Sequence, residues 1–170
     1  MNRIRRAGRQ LQWIVAALLV LTPVAYVAVF LWQGPAALLD LPRTIAVDLT
    51  EASSLDNAAL FVLGAFTPAV YWLSFWFLHK LARHYAAGEV FSTSAARQLR
   101  LIGLLLLSTD FVHMMQTAVT GPVLTLMGLS QGFVSVQLRL GVSVIGLFIV
   151  LISRIMLVAS DLQEQQRLTV

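Results

Sequence analysis

The sequence predicts an all-α fold, an integral membrane four-helix bundle with both termini on the cytoplasmic side. Three observations lead there. Four apolar stretches occupy residues 11–32, 58–78, 101–120 and 138–159, each near the ~20 residues a helix needs to cross a hydrocarbon core. The 170-residue chain is 58% hydrophobic and 12% charged, with mean hydropathy +0.80; a soluble domain carries about twice that charge. The basic residues also alternate in side. Arg3, Arg5, Arg6, Arg9, Lys80, Arg83, Arg97, Arg100, Arg154 and Arg167 flank one side of the spans, and only Arg43 and Arg139 the other. By the positive-inside rule, the richer side faces the cytoplasm.

Residues 1–10 form a basic helical lead-in. The first apolar stretch is too long for the ~7–15-residue core of a cleaved signal peptide, and Gly34-Pro35-Ala36 makes a poor cleavage site, so span one is expected to stay. The outer loop, residues 33–57, is broken by Gly34-Pro35 and Leu41-Pro42 and carries Asp40, Asp48, Glu51 and Asp56. Its Ala36-Ala37-Leu38-Leu39 patch is expected to rest on the outer surface. Trp32, Trp72, Trp76 and Tyr85 are placed at headgroup level.

Span two is expected to run on as a helix to Ala87. Gly88 then stops it, because glycine takes the left-handed C′ conformation without a Cβ clash. Ser92 or Ser94 caps the helix that becomes span three. Residues 121–136 read as a semi-apolar outer connection, re-entrant or surface-bound, and residues 160–170 as a polar tail continuing span four. With a cytoplasmic loop of 79–100 and no long loop elsewhere, residues 1–170 form a single membrane domain.

Spans one and two share a pattern, Thr22-Pro23-Val24-Ala25-Tyr26 and Thr67-Pro68-Ala69-Val70-Tyr71. An inverted repeat of the transporter kind would produce it. Coincidence in a small apolar alphabet is the stronger reading, since spans three and four have no counterpart.

The chemistry the chain could carry is narrow. With no cysteine there is no disulfide, thiolate or cysteine-zinc site. The pI near 10.3 invites nucleic acid, but the basic residues flank membrane spans instead of gathering on one face, so no direct nucleic-acid contact is expected. Ser92, Thr93, Ser94 and Ser108 lack a base and an orienting group, which leaves no nucleophile. His79 and His84 are five apart and diverge by about 140° on a helix. No metal set and no cofactor are implied.

One polar stripe stands out. Asp110 is the single acid inside a span, and a mid-bilayer carboxylate costs roughly 3 kcal/mol even on the lenient insertion scale. His113 follows three residues later on the same face, and Gln116 and Thr117 prolong it. Matching depths puts Thr22, Thr67 and Tyr71 near Asp110, with the carbonyls freed by Pro23 and Pro68. Arg139 matches Gln116 or Thr117 better than Asp110. Asp110, His113, Gln116, Thr22, Thr67 and Tyr71 are therefore the candidate intramembrane site: a proton- or cation-responsive one, or interhelical glue worth about 1 kcal/mol or less per bond.

Gly88-Glu89-Val90-Phe91-Ser92, then Arg97-Gln98-Leu99-Arg100-Leu101-Ile102-Gly103, and the terminal Leu168-Thr169-Val170 together resemble the bacterial DUF2975 family of small four-span membrane proteins. The family tail tends to be acidic before its last three residues, whereas this one has Gln165 and Arg167. The resemblance implies no chemistry. It does imply pairing with a small cytosolic helix-turn-helix regulator, through a surface of Gly88, Phe91, Ser92, Arg97, Arg100, Leu168, Thr169 and Val170. Each of those residues also has a plain role as helix stop, plug, cap or flanking charge.

The expectation is thus a non-enzymatic sensor or interaction protein of the bacterial cytoplasmic membrane, with the lipid bilayer and a cytosolic regulator as partners. The alternative is a proton- or cation-linked transporter or channel component, acting as a homo-oligomer, with Asp110 and His113 lining the path.

Overall fold

The computed structural model describes residues 2–41, 52–88 and 92–168, with side-chain surroundings given between Gly8 and Ser160. The chain is all-helical: α1 Asn2–Gln33, α2 Ser54–Ala87, α3 Thr93–Leu126 and α4 Gly141–Leu168, with a 3-10 turn at Pro35–Leu38. Each contains a segment long and apolar enough to cross a membrane: Gly8–Gln33, Ser54–Ala87, Thr93–Leu126 and Gly141–Ser160. At ~1.5 Å per residue, the 34 residues of α2 or α3 reach about 51 Å, well beyond a ~30 Å hydrocarbon core. The helices alternate in direction. The start of α1, the end of α4, the end of α2 and the start of α3 lie at one end, the terminal end; the end of α1, the start of α2 and the α3–α4 connection lie at the other, the loop end.

The bundle is open. Each helix packs on its neighbour in sequence, and among the described residues α1 meets neither α3 nor α4. As a result α3 is the most enclosed helix, while α1 and α4 are edges. On α4, Val144, Ile145, Leu147, Phe148, Leu151, Ile152, Ile155 and Val158 are all exposed, a broad apolar face turned away from α3, as on a helix suited to a lipid environment.

Small residues decide how closely the helices approach. A Cβ on Gly146 would lie 2.5 Å from the Leu107 amide nitrogen, and one on Gly103 2.9 Å from the Gly146 carbonyl oxygen. The backbones of α3 and α4 therefore touch here, as membrane helices do where lipid gives no hydrophobic drive. Gly8 lets α1 meet the backbone of α2 at Ala86 in the same way. Between these contacts, α1 and α2 join through Tyr26, Phe30 and Phe61, with ring centroids 4.8–4.9 Å apart. The Tyr26 hydroxyl donates to the Phe61 carbonyl at 2.5 Å.

Prolines 23, 68 and 122 all sit inside helices. Pro23 leaves the Leu19 carbonyl without its helical donor. The Trp72 indole N–H fills that gap at 3.0 Å. Trp72 thus bonds α1 to α2 near mid-helix, instead of marking the headgroup level.

At the terminal end, α2 ends on Gly88 in the left-handed conformation, φ +90°, its N–H reaching the His84 and Tyr85 carbonyls. Ser92 caps α3 by accepting the Ala95 N–H at 3.2 Å. At the loop end the connection expected over 121–136, re-entrant or surface-bound, starts later. There α3 continues to Leu126 and closes in a Schellman motif, with Gly128 at φ +73°. The Leu129 N–H returns to Leu124 and that of Gly128 to Thr125, while Leu129 and Leu124 pack in one core with Leu39 and Leu60. Extended chain then folds back along α3. Phe133 crosses so close to Gly121 that a Cβ there would sit 2.1 Å from the Phe133 carbonyl oxygen.

Candidate functional site

That return of the chain builds the site. It lays Gln137, Arg139 and the start of α4 beside the polar face of α3, where Thr109, Asp110, His113, Gln116, Thr117 and Thr120 are buried. The Gln137 N–H points to the Thr117 hydroxyl at 3.4 Å.

Asp110 serves α4. Its Oδ2 accepts the Ser143 N–H at 2.8 Å, one of the first-turn amides that a helix leaves unpaired. Position 140, where a capping hydroxyl or carboxylate would normally sit, holds Leu140. The side-chain oxygen of Asp110 on α3 supplies the missing cap from a different helix. Ser143 returns a second bond, its hydroxyl donating to the Leu107 carbonyl at 3.0 Å.

Nearer the loop end, Asp40 becomes the meeting point. Its Oδ2 accepts from Arg139 Nη2, and its backbone carbonyl accepts from Gln137 Nε2 at 3.1 Å. Arg139 also donates to Gln137 Oε1 at 3.1 Å. The same Asp40 oxygen lies 3.4 Å from His113 Nε2. That nitrogen is buried and makes no hydrogen bond, so the approach is close without being aligned. The two neighbours of that oxygen differ in weight. Arg139 is 60% exposed and Asp40 41%, which makes their pair a surface one worth about 0–1 kcal/mol. His113, at 11% exposure of its side chain, is the group for which gaining or losing that oxygen matters.

The depth-matched partners lie elsewhere. Thr67 donates its hydroxyl to Gln116 Oε1 at 2.7 Å, not to Asp110. Thr22 returns its hydroxyl to Leu18 within α1, and it does not reach Asp110 because, among the described residues, α2 is the one long helix that α1 packs on. Tyr71 makes no hydrogen bond among the described residues, whereas Tyr26, its counterpart in the Thr-Pro-x-x-Tyr pattern, bonds across helices. The two copies of that pattern do different jobs. Asp40 and Ser143 carry no signal in the sequence, Asp40 being one loop acid among four and Ser143 a serine in an apolar run. Among the described residues no three His, Cys, Asp or Glu side chains converge to hold a metal.

With this geometry in place, comparison adds one finding. The family model described as "Protein of unknown function (DUF2975)" matches residues 45–170. The chain belongs to that family. No curated protein and no solved structure matches it. The DUF2975 match takes in α2, α3 and α4, hence Asp110, His113, Gln116, Thr67 and Arg139, while α1 and Asp40 precede it. Of the residues that carry the DUF2975 resemblance, Gly88 and Ser92 have the turn and cap roles given above, and Arg97 and Arg100 are exposed at the start of α3. Leu168 is the last residue of α4. Phe91, Thr169 and Val170 lie outside the described residues.

Proposed function

We propose that this DUF2975 protein is a non-enzymatic sensor of the bacterial cytoplasmic membrane, with its terminal end in the cytosol and its loop end outside. A change at the Asp40–His113–Arg139 cluster alters how α3 sits, and the α2–α3 turn and tail recruit or restrain a cytosolic regulator accordingly. One observation carries the reading: a single Asp40 oxygen serves Arg139 while lying 3.4 Å from the buried, unbonded Nε2 of His113. A protonated imidazole would form a charge-assisted bond there; a competing cation or a shifted loop would break the contact. The unmade bond between His113 and Asp40 gives the proposed switch its second arrangement. Because α3 is one continuous helix, movement at His113 reaches Arg97 about 24 Å away.

The absence of native cysteine makes the orientation simple to test. In intact cells, an impermeant thiol reagent should label Gln131→Cys and spare Ser94→Cys; the reverse pattern refutes the topology. A photo-crosslinker at Arg97 should trap one defined cytosolic protein, and recovery of none would sink the recruitment model.

The transport reading retains one supporting observation, the burial of Asp110 and His113 one turn apart on a single face. It requires Asp110→Asn to abolish pH-dependent flux in liposomes. The sensor reading predicts no flux even in the wild type.

A further inference from the structure

The terminal end holds a second polar feature, separate from the loop-end cluster and independent of the sensor reading. A cavity of about 400 Å³ is lined by Lys80, Arg83, His84 and Gln98. The first three stand at i, i+3 and i+4 on one face of α2, and Gln98 faces them from α3. Among the described residues neither Lys80 nor Arg83 has an acidic partner. Lys80 Nζ rests 5.5 Å from the Trp76 ring centre and 5.4 Å from that of Phe77. These contacts hold its stem against apolar surface and keep its charge at the cavity mouth. Inside the cavity wall, Gln98 Oε1 is buried with no hydrogen-bond partner.

A ligand for this cavity must bring two things at once: negative charge for the two cations, and a donor for the stranded carboxamide oxygen. A chloride ion supplies the first without the second. A glyceryl phosphate supplies both, its phosphodiester facing Lys80 and Arg83 and its hydroxyl donating to Gln98. We propose that the α2–α3 cavity binds a phosphate group carrying a glycerol hydroxyl. Its depth fits a lipid headgroup: Trp76, exposed one turn nearer mid-helix than Lys80, stands where aromatic residues sit at a membrane interface. Basic pockets between membrane helices at this level commonly take anionic headgroups.

The test uses the full-length protein in a neutral detergent, titrated with phosphatidylglycerol, phosphatidylcholine or soluble glycerol phosphate and read by native mass spectrometry. Phosphatidylglycerol should stay bound in preference to phosphatidylcholine. Combining Lys80→Gln with Arg83→Gln should weaken it roughly thirtyfold, taking about 1 kcal/mol for each charge and about 1.4 kcal/mol per decade. Arg9→Gln with Arg154→Gln removes the same charge outside the cavity and should leave binding unchanged. If soluble glycerol phosphate displaces the lipid, the site is real and its natural ligand is the free ester; if only the lipid binds, the ligand is the headgroup. Should the Lys80/Arg83 variant not fold, Gln98→Leu, which changes no charge, should weaken phosphatidylglycerol binding several-fold. Equal retention of the two lipids, equal loss in the Arg9/Arg154 control, or undiminished binding by Gln98→Leu would overturn the proposal.

Discussion

The two ends of the molecule are built on opposite principles. At the terminal end the α2–α3 turn is made locally: Gly88 bonds back to His84 and Tyr85, and Ser92 caps Ala95 three residues on. At the loop end the shaping bonds join distant chain, Asp110 to Ser143 across 33 residues and Asp40 to Gln137 and Arg139 across 97 and 99. A local turn survives small displacements of the helices around it. A long-range polar cluster records them. This contrast is the reason we propose sensing at the loop end and a fixed docking face at the terminal end.

Substitutions can break the comparison, and the largest effect is expected where α3 meets α4. Gly146→Leu places a side chain against the Leu107 backbone and should cost about 3 kcal/mol or more. Thermal unfolding in detergent measures it, and a loss under ~1 kcal/mol would mean the helices are not in backbone contact. Next comes Asp110→Leu. It leaves the Ser143 amide unmet and should cost about 2 kcal/mol, with faster hydrogen exchange at the start of α4. Asp110→Asn retains an acceptor oxygen and should lose under ~1 kcal/mol, an outcome that separates a structural cap from an obligatory proton carrier. Ser92→Ala should cost about 1 kcal/mol and loosen only the α2–α3 turn. If it also disturbed the exchange of residues near Gly141, the two ends would not be separable. Gln116→Leu removes the bond to Thr67 and should cost about 1 kcal/mol or less, with most of that loss absent when Thr67 is already valine.

How much of this is legible in the sequence follows the same division. The four helices, the Gly88 stop and the Ser92 cap rest on length, hydropathy and one-turn chemistry, so the residues announce them directly. The stripe from Asp110 to Gln116 is legible because three-residue spacing fixes a shared face. Its partners are not. Matching depths assumed that every helix meets every other, and the open packing order removes Thr22 from Asp110 altogether. The fold-back over 132–140 hides in a glycine: Gly121 gives no local signal in an apolar helix, yet it decides where Phe133 can pass. Gly128 followed by apolar Leu129 was a readable helix-end signature; the apolar run through 126 masked it. Asp40 could be found only by knowing that the chain returns to it from Arg139.

The coupling between the ends is tested most directly by the Arg97 crosslinker, compared in wild type and Asp40→Asn. Asp40→Asn weakens the hold on Arg139 and His113 without touching the terminal end. The account predicts the same cytosolic protein in both, captured with a yield that differs by about fivefold or more, the low end of ordinary coupling energies. An identical yield would contradict it, leaving the loop-end cluster as a structural clasp alone.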